Sequence, residues 1–475
     1  MTAAGFPCPC RPLSDQARSE PTMFSRMFLS MAFTAALASS ATAAVTAEEA
    51  KALGATLTEF GAEKTGNADG SIPPYSAEAA KIAPPSGSDP AKGVLPNPFA
   101  DDKPLFTITQ QNMAQYAKSL DEGAQTLLKR WPDFKINVYK TRRTTTYPDW
   151  VLKNTVANAT RASLVNVGGD GVQGAYGGIP FPIPKSGLEV LWNHLLSWQP
   201  LATELTVDGY MVDGAGMVTE LNVSNTYFET QYYNPDKTAL EGAYNMMKAS
   251  TIAPPRSVGE INVVWYSGDY KKIDQKAWVY SPGQRRVRLA PEFAYDTPAA
   301  PYGGVLFYDE IYMFSGRPDR FDWKLIGKKE LYVPYNTYDL YNGSADKTFG
   351  PQHLNMDRVR YELHRVWEVE ATLKPGARHA MSRRKFYFDE DSWKILATVG
   401  YDQAGQTYRI GNQYCAQIYD PKTPFLDCSF AIYDLAKNQY MLTPQYGDRG
   451  GIKHVAPLRS PSETTAAGMQ GGGVR

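Results

Sequence analysis

The sequence predicts a mainly β fold of the α+β class: a large meandering antiparallel sheet with a few helices packed on it. Three observations predict it. From about Thr203 onward, runs of β-favouring residues follow one another with turn residues between them. In "VRYELHRVWEVEATL", Val359, Tyr361, Leu363, Trp367, Val369, Ala371 and Leu373 point one way. Arg360, Glu362, His364, Glu368, Glu370 and Thr372 point the other, so one face should be dry and the other solvated. Thirty tyrosines and nine tryptophans suit pleated, amphipathic surface.

The elements follow in chain order. From Met23 a basic residue, Arg26, precedes an apolar run from Met27 to Ala38, and "ATAA" then supplies small residues. This reads as a secretory signal peptide cleaved after Ala43 or Ala44, with residues 1–22 an upstream extension. No cysteine stands at the cleavage site, so no lipid anchor is expected, and the apolar run is too short for a membrane span. Residues 45–100, rich in Gly, Pro and Ser, read as an extended arm with one short helix near Ala47–Leu53. Residues 101–455 read as a single β domain with helical insertions. Ser119 and Glu122 have capping-box spacing, and Pro148 falls in a first helical turn.

The stretch "GGIPFPIP" (177–184) cannot be a central strand, because proline lacks the N–H a ladder needs. It reads as a stiff, extended apolar strap. Ser186 and Glu189 then open a helix whose Leu188, Leu191, Trp192, Leu195 and Leu196 share one face. Strap and helix either complete a solid core or partly fill a hollow beside the sheet.

Further on, "NPDKTALEGAYNMMKAS" predicts a helix from Asp236 to Lys248. "KAWVYSPGQRRVRL" predicts a hairpin turning at Pro282-Gly283, with Trp278 and Val287 on one face. Three strands joined by "DEDS" (389–392) and "DQAG" (402–405) come next. In the final hairpin Cys415 and Cys428 are equidistant from the Pro421–Lys422 junction. A directly opposed pair has Cα atoms roughly 4.5 Å apart, within disulfide range, the alternative being two reduced, packed thiols. Residues 456–475, rich in Gly, Ser and Thr, read as a disordered tail.

Composition narrows the function classes. Formal net charge is zero, which argues against a nucleic-acid partner. There is no G-x-S-x-G, no phosphate-binding glycine fingerprint and no H-E-x-x-H. Glu362, His364, Glu368 and Glu370 read as a solvated strand face, and "DEDS" as a turn without the acidic ladder of a calcium loop. No catalytic residue, metal ligand or cofactor is therefore assigned. Arg365 breaks its pattern, because it falls on the dry face between Leu363 and Trp367. It must meet a buried carboxylate, or serve as a head-group site at a cavity mouth.

The strap and helix, "YSPGQRRVRLAPEFAYD", "DRFDWKLIGKKELYVPYN", "VRYELHRVWEVEATLKPGARH" and "RRKFYFDEDSW" occur in order. With them the chain resembles the proteobacterial family known as domain of unknown function 1329, from roughly Val45 to Leu442. "YFDEDSWKILATVGYDQAGQTYRI" is also similar to a strand–turn–strand run of the outer-membrane lipoprotein carriers LolA and LolB. That second resemblance implies a half-barrel: a strongly curved antiparallel sheet wrapped around a few helices, with an apolar cavity for acyl chains.

The function expected is a soluble periplasmic carrier of a lipid or other lipophilic molecule. Family members are often encoded beside large inner-membrane export permeases, which implies such a permease or an outer-membrane protein as partner. Cavity candidates are Ile179, Phe181 and Ile183 of the strap, and Leu188, Leu191, Trp192 and Leu195 of the helix. Leu363 and Trp367 of the long strand join them, with Arg365 as head-group candidate. The rival expectations are a hydrolase of envelope glycans or lipids and an accessory subunit of an export permease.

Overall fold

A computed structural model describes residues 45–472 apart from 90–91, 421–422, 450 and 455–457. The signal peptide and the Pro421–Lys422 junction lie outside the described residues. The helices are α1 (Ala47–Ala50), α2 (Ala77–Ala80), α3 (Glu122–Arg130), α4 (Asp149–Arg161) and α5 (Gly187–Leu195). Then come α6 (Tyr338–Tyr341), α7 (Ala345–Thr348) and α8 (Ala466–Gly472).

Short strands β1 (Phe106–Ile108) and β2 (Ile136–Val138) precede a small ribbon of β3 (Ser163–Leu164) and β4 (Val172–Gln173). A first meander contains β5 (Ala202–Val212), β6 (Val218–Glu229), β7 (Ala243–Ala253), β8 (Ile261–Ser267), β9 (Lys276–Ser281) and β10 (Arg286–Leu289). The second contains β11 (Phe321–Pro334), β12 (Tyr361–Leu373), β13 (Arg383–Asp389) and β14 (Ile395–Tyr401). It continues through β15 (Thr407–Ile418), β16 (Phe425–Asp434) and β17 (Gln439–Thr443). β18 (Lys453–His454) returns to pair with β5.

Sixteen of these strands make one sheet in the order β1-β2-β12-β13-β14-β15-β16-β17-β5-β6-β7-β8-β9-β10, with β11 on β12 and β18 on β5. The two meanders meet edge to edge where Tyr440, Met441 and Leu442 of β17 face Val212, Met211 and Tyr210 of β5. This overturns the expected half-barrel. Among the described residues no sheet is closed or strongly curled, and the molecule is a mixed α/β fold with many strands. The physical reason lies in the seam. β17 spends its free backbone edge on β5, so the second meander is prolonged by another set of strands.

The central strands are covered on both faces. Phe430, Ile432 and Met441 share a core with Val190, Leu191 and Trp192 of α5. Ala431, Tyr433, Tyr440 and Leu442 share another with Leu127 and Leu128 of α3. β16 is consequently buried along its whole length. The cap of α3 is Asp121, not Ser119, since Asp121 Oδ1 accepts the N–H groups of Gly123 (2.7 Å) and Ala124 (3.0 Å). Ser186 caps α5 as expected.

Most of the polar face of β12 is not solvated either; only its end, at Glu370 and Thr372, reaches solvent. Glu362, His364 and Glu368 are all buried. Residues 139–145 lie across this face: Thr141 donates to the Leu363 carbonyl (2.9 Å), and the Arg142 N–H donates to Glu362 Oε2 (2.6 Å). Arg360 closes the layer by donating to Glu362 Oε1 at 2.5 Å. The alternation correctly separated the two faces but carried no information about what would cover the polar one.

The expected helix at Asp236–Lys248 is absent. Ala243–Ala253 is β7, paired with β6 and β8, so pairing on two sides overrides a run of good helix formers. The hairpin of β9 and β10 pairs Trp278 with Leu289 and Tyr280 with Val287, a register two residues from the expected one. Trp278 and Val287 stay on one face because side chains alternate with period two. Part of the tail is also placed. Met469 of α8 is buried against Ile261, Val263 and Tyr280, and the Trp265 indole donates to the Thr464 carbonyl at 2.6 Å.

Candidate functional site

A cavity of about 230 Å³ lies where the two meanders meet. Val207, Phe228, Met247 and Val264 of the first meander form one wall, and Leu426 and Phe430 of β16 form another. The segment Ala300–Gly316, "APYGGVLFYDEIYMFSG", closes it with Tyr302, Tyr308, Ile311, Tyr312 and Phe314. Apolar cavities of about 150 Å³ accept guests the size of benzene, so this volume is ample for a hydrocarbon.

Ion pairs clamp that covering segment. Asp309 Oδ2 accepts from Arg384 (2.8 Å) and meets the His379 ring (2.9 Å). Glu310 holds Arg409 through two bonds of 2.6 Å, and Arg409 also reaches Asp434 at 3.1 Å. Burial pushes the Asp309 carboxyl up, but Arg384 and His379 overrule it and hold it down at about 2. Gly209 of β5 gives the covering segment its seat, since a Cβ there would lie 2.7 Å from the Tyr302 ring.

The cavity surface is mostly apolar by area, but many Ser, Thr, Asn and Gln side chains are interspersed in it. Asn262 Oδ1 and Gln413 Oε1 line it, are buried, and meet no hydrogen-bond partner among the described residues. Lys394 follows the turn after β13, and its Nζ donates to Ser197 Oγ at 2.9 Å. Burial pushes this ammonium down to about 8, against the pull of Asp427. Asp427 is itself pushed up by burial, and Tyr341 donates to its Oδ2 at 3.1 Å. His194 is pushed down to about 3 by burial, helped by the Lys394 charge, so the ring is neutral, and its Nδ1 accepts the Ile395 N–H at 3.3 Å.

The model of the family described as a protein of unknown function, DUF1329, matches residues 107–466. The chain belongs to the DUF1329 family. It is also 40% identical over 448 residues to the Pseudomonas aeruginosa protein PA3922, covering 92% of this chain and 96% of that one. Among solved structures it is similar to a DUF1329 family protein from Desulfovibrio piger, with 14% identity and a TM-score of 0.39 over 57% of this chain and 92% of that one. A putative outer membrane lipoprotein-sorting protein domain from Vibrio parahaemolyticus shows 9% identity and a TM-score of 0.40, over 58% and 94% of the two chains. The LolA superfamily protein NE2245 from Nitrosomonas europaea shows 8% and 0.34, over 59% and 98%.

In this DUF1329 member the residues expected at the cavity separate. Leu195 lines it. Ile179, Phe181, Leu191 and Trp192 instead sit in the solid core behind it, with Trp367 packed against that core. Leu363 is buried, Ile183 packs near Val45 and Leu53, and the side chain of Leu188 lies over Gly169. None of these last three lines the cavity.

The strap is a packing element whose backbone is satisfied by side chains. The Ile179 N–H donates to Thr155 Oγ1 (2.9 Å), and Asn193 both accepts the Phe181 N–H (2.8 Å) and donates to its carbonyl (2.7 Å). The arm crosses it so closely that a Cβ on Gly61, at φ +94°, would lie 1.9 Å from the Pro182 carbonyl oxygen. The Trp192 indole donates to the Gly169 carbonyl at 2.9 Å.

Arg365 is far from a free head-group site. It donates to the Thr65 carbonyl (2.9 Å) and pairs with Glu390 (3.4 Å), Glu63 (3.6 Å) and Glu330 (3.6 Å). Cys415 and Cys428 do form a disulfide, with Cα atoms 4.1 Å apart.

Among the described residues, His364, Asp389 and Asp391 have metal-ligand geometry, each placing one atom within 4.8 Å of the others. The Asp391 carboxylate is already taken by Arg143, at 2.9 and 2.6 Å, so an ion there would compete with a buried salt bridge.

Sequence reasoning missed Lys394 and the covering segment. Their signals were present: one lysine between Trp393 and Ile395 at the start of an apolar strand, and five aromatic residues in fifteen positions from Tyr302 to Gly316.

Proposed function

We propose that the protein binds a lipophilic molecule in the cavity at the seam and carries it within the cell envelope. The observation that supports this reading is the cavity itself, whose surface is mostly apolar, with aromatic and aliphatic side chains interspersed with uncharged polar ones. Such a site draws affinity from buried apolar area and uses its polar groups to orient the guest. The leader read from Met23 to Ala44 supports a periplasmic location. No described helix is long and apolar enough to cross a membrane. A carrier of this kind would exchange cargo with an export permease or an outer-membrane protein.

The test is recovery of bound lipid by mass spectrometry from protein purified without detergent. It is paired with titration of an environment-sensitive fluorescent fatty acid. Ala249 lines the cavity, so Ala249→Trp should fill it and abolish probe binding while far-UV circular dichroism stays unchanged. Probe binding equal to that of the unsubstituted protein would exclude this cavity as the site.

A further inference from the structure

We propose that the cavity's ligand is an anionic amphiphile: one apolar chain bearing a carboxylate or phosphate that pairs with the Lys394 ammonium. This rests on the cavity being the binding site. Lys394 is the sole lysine or arginine among the cavity-lining residues, and Asp427 the sole carboxylate. Part of the lysine's surface remains accessible, and the space it borders is the cavity.

Its hydrogen bonding is incomplete. An ammonium has three donors, and Nζ meets Ser197 Oγ alone among the hydrogen bonds of the described residues. No salt bridge of 4.0 Å or less reaches it among those residues, whereas buried Arg143, Arg384 and Arg409 each have one. A buried charge without a counter-ion is costly. The cavity therefore combines a mostly apolar surface with a cation that no carboxylate pairs within 4.0 Å among the described residues, which together describe a fatty-acid-like or phosphorylated single-chain molecule.

The groups around Lys394 leave the role to the ligand. Asp427, on β16, attracts the ammonium from beyond ion-pair distance and is engaged by Tyr341. His194, on α5, is neutral for the reasons given above. Burial pushes Tyr312, Tyr341 and Tyr446 well above the usual phenol range, so they stay uncharged. Carboxylate and phosphate heads share the same pairing chemistry, and the probes below separate them.

The experiment is calorimetric titration of the full mature chain, disulfide intact, with dodecanoate, dodecyl phosphate and dodecanol below their aggregation limits. At pH 7 at least one anion should bind about thirtyfold or more tightly than the alcohol. The tighter of the two anions identifies the head group. Lys394→Met should erase that preference. Equal affinities for alcohol and anions, or a preference that survives Lys394→Met, overturns the inference and leaves the cavity reading intact. Binding of none of the three probes overturns both.

If Lys394→Met fails to fold, the unsubstituted protein decides the matter. Deprotonation of Lys394 should shrink the anion preference about tenfold or more between pH 7 and pH 10. A preference constant over that range overturns the inference.

Discussion

Lys394 lines the cavity and Trp192 lies in the core, and the two have opposite consequences. Lys394 carries a charge that folding takes out of bulk water, and its proton affinity falls to about 8. Between that value and the ordinary lysine range the unfolded chain binds the proton more tightly. Stability should therefore rise with pH across this window. Lys394→Met removes the penalty, so the ligand-free variant should be more stable at pH 7 by about 1–3 kcal/mol, read from urea midpoints.

Trp192 is fully buried and hydrogen-bonded, and does not line the cavity at the seam. Trp192→Ala should cost about 3–5 kcal/mol in the same measurement. It should leave the affinity of a cavity probe unchanged under conditions where the variant remains folded.

Elements translate such residues into a shaped site. The covering segment is apolar toward the cavity and acidic behind, and its acids Asp309 and Glu310 are met by Arg384 and Arg409 rising from β13 and β15. Asp309→Asn would strand the buried Arg384 guanidinium. We expect a loss of about 3–5 kcal/mol, together with weaker probe binding because Tyr308 and Tyr312 lose their seat.

The β15–β16 hairpin contributes through its disulfide, which joins residues 13 apart in sequence. A loop of that size restricts the unfolded chain, so Cys415→Ser with Cys428→Ser should lower stability by about 2–4 kcal/mol. Hairpins were also the most legible elements in the sequence. Cys415 faces Cys428 because both strands alternate and the turn is short. Strand β7 was illegible, because its Ala, Met and Lys residues spell a helix until two neighbouring strands claim the backbone.

At the scale of the molecule, the seam between β17 and β5 has three register pairs, whereas β15 and β16 share ten. Amide exchange at Met211 and Met441 should therefore be faster than in the β15–β16 ladder. Equal protection would mean that the meanders open only as one unit. Acid should destabilise the whole fold through His194. Its folded proton affinity lies near 3, well below the ordinary imidazole value. Between about pH 6.5 and 3 the unfolded state takes up a proton that the native ring refuses, so stability falls as pH drops, by about 1.4 kcal/mol per unit. His194→Asn should flatten that slope.

The sequence by itself determined the family, the strand-rich character of the chain, the apolar strap, the face of the helix that follows it and the opposed positions of the two cysteines. Each of these depends on residues close in the chain or on repeating patterns, where alternation and backbone chemistry act locally. Only the tertiary structure decided that the meanders join into an open sheet and that most of the polar face of β12 is covered. It also decided that the strap packs solid, and that a lysine of the second meander reaches a chamber walled by both. Those outcomes depend on which distant edges and faces meet, and on charges compensated across hundreds of residues, which no local pattern encodes.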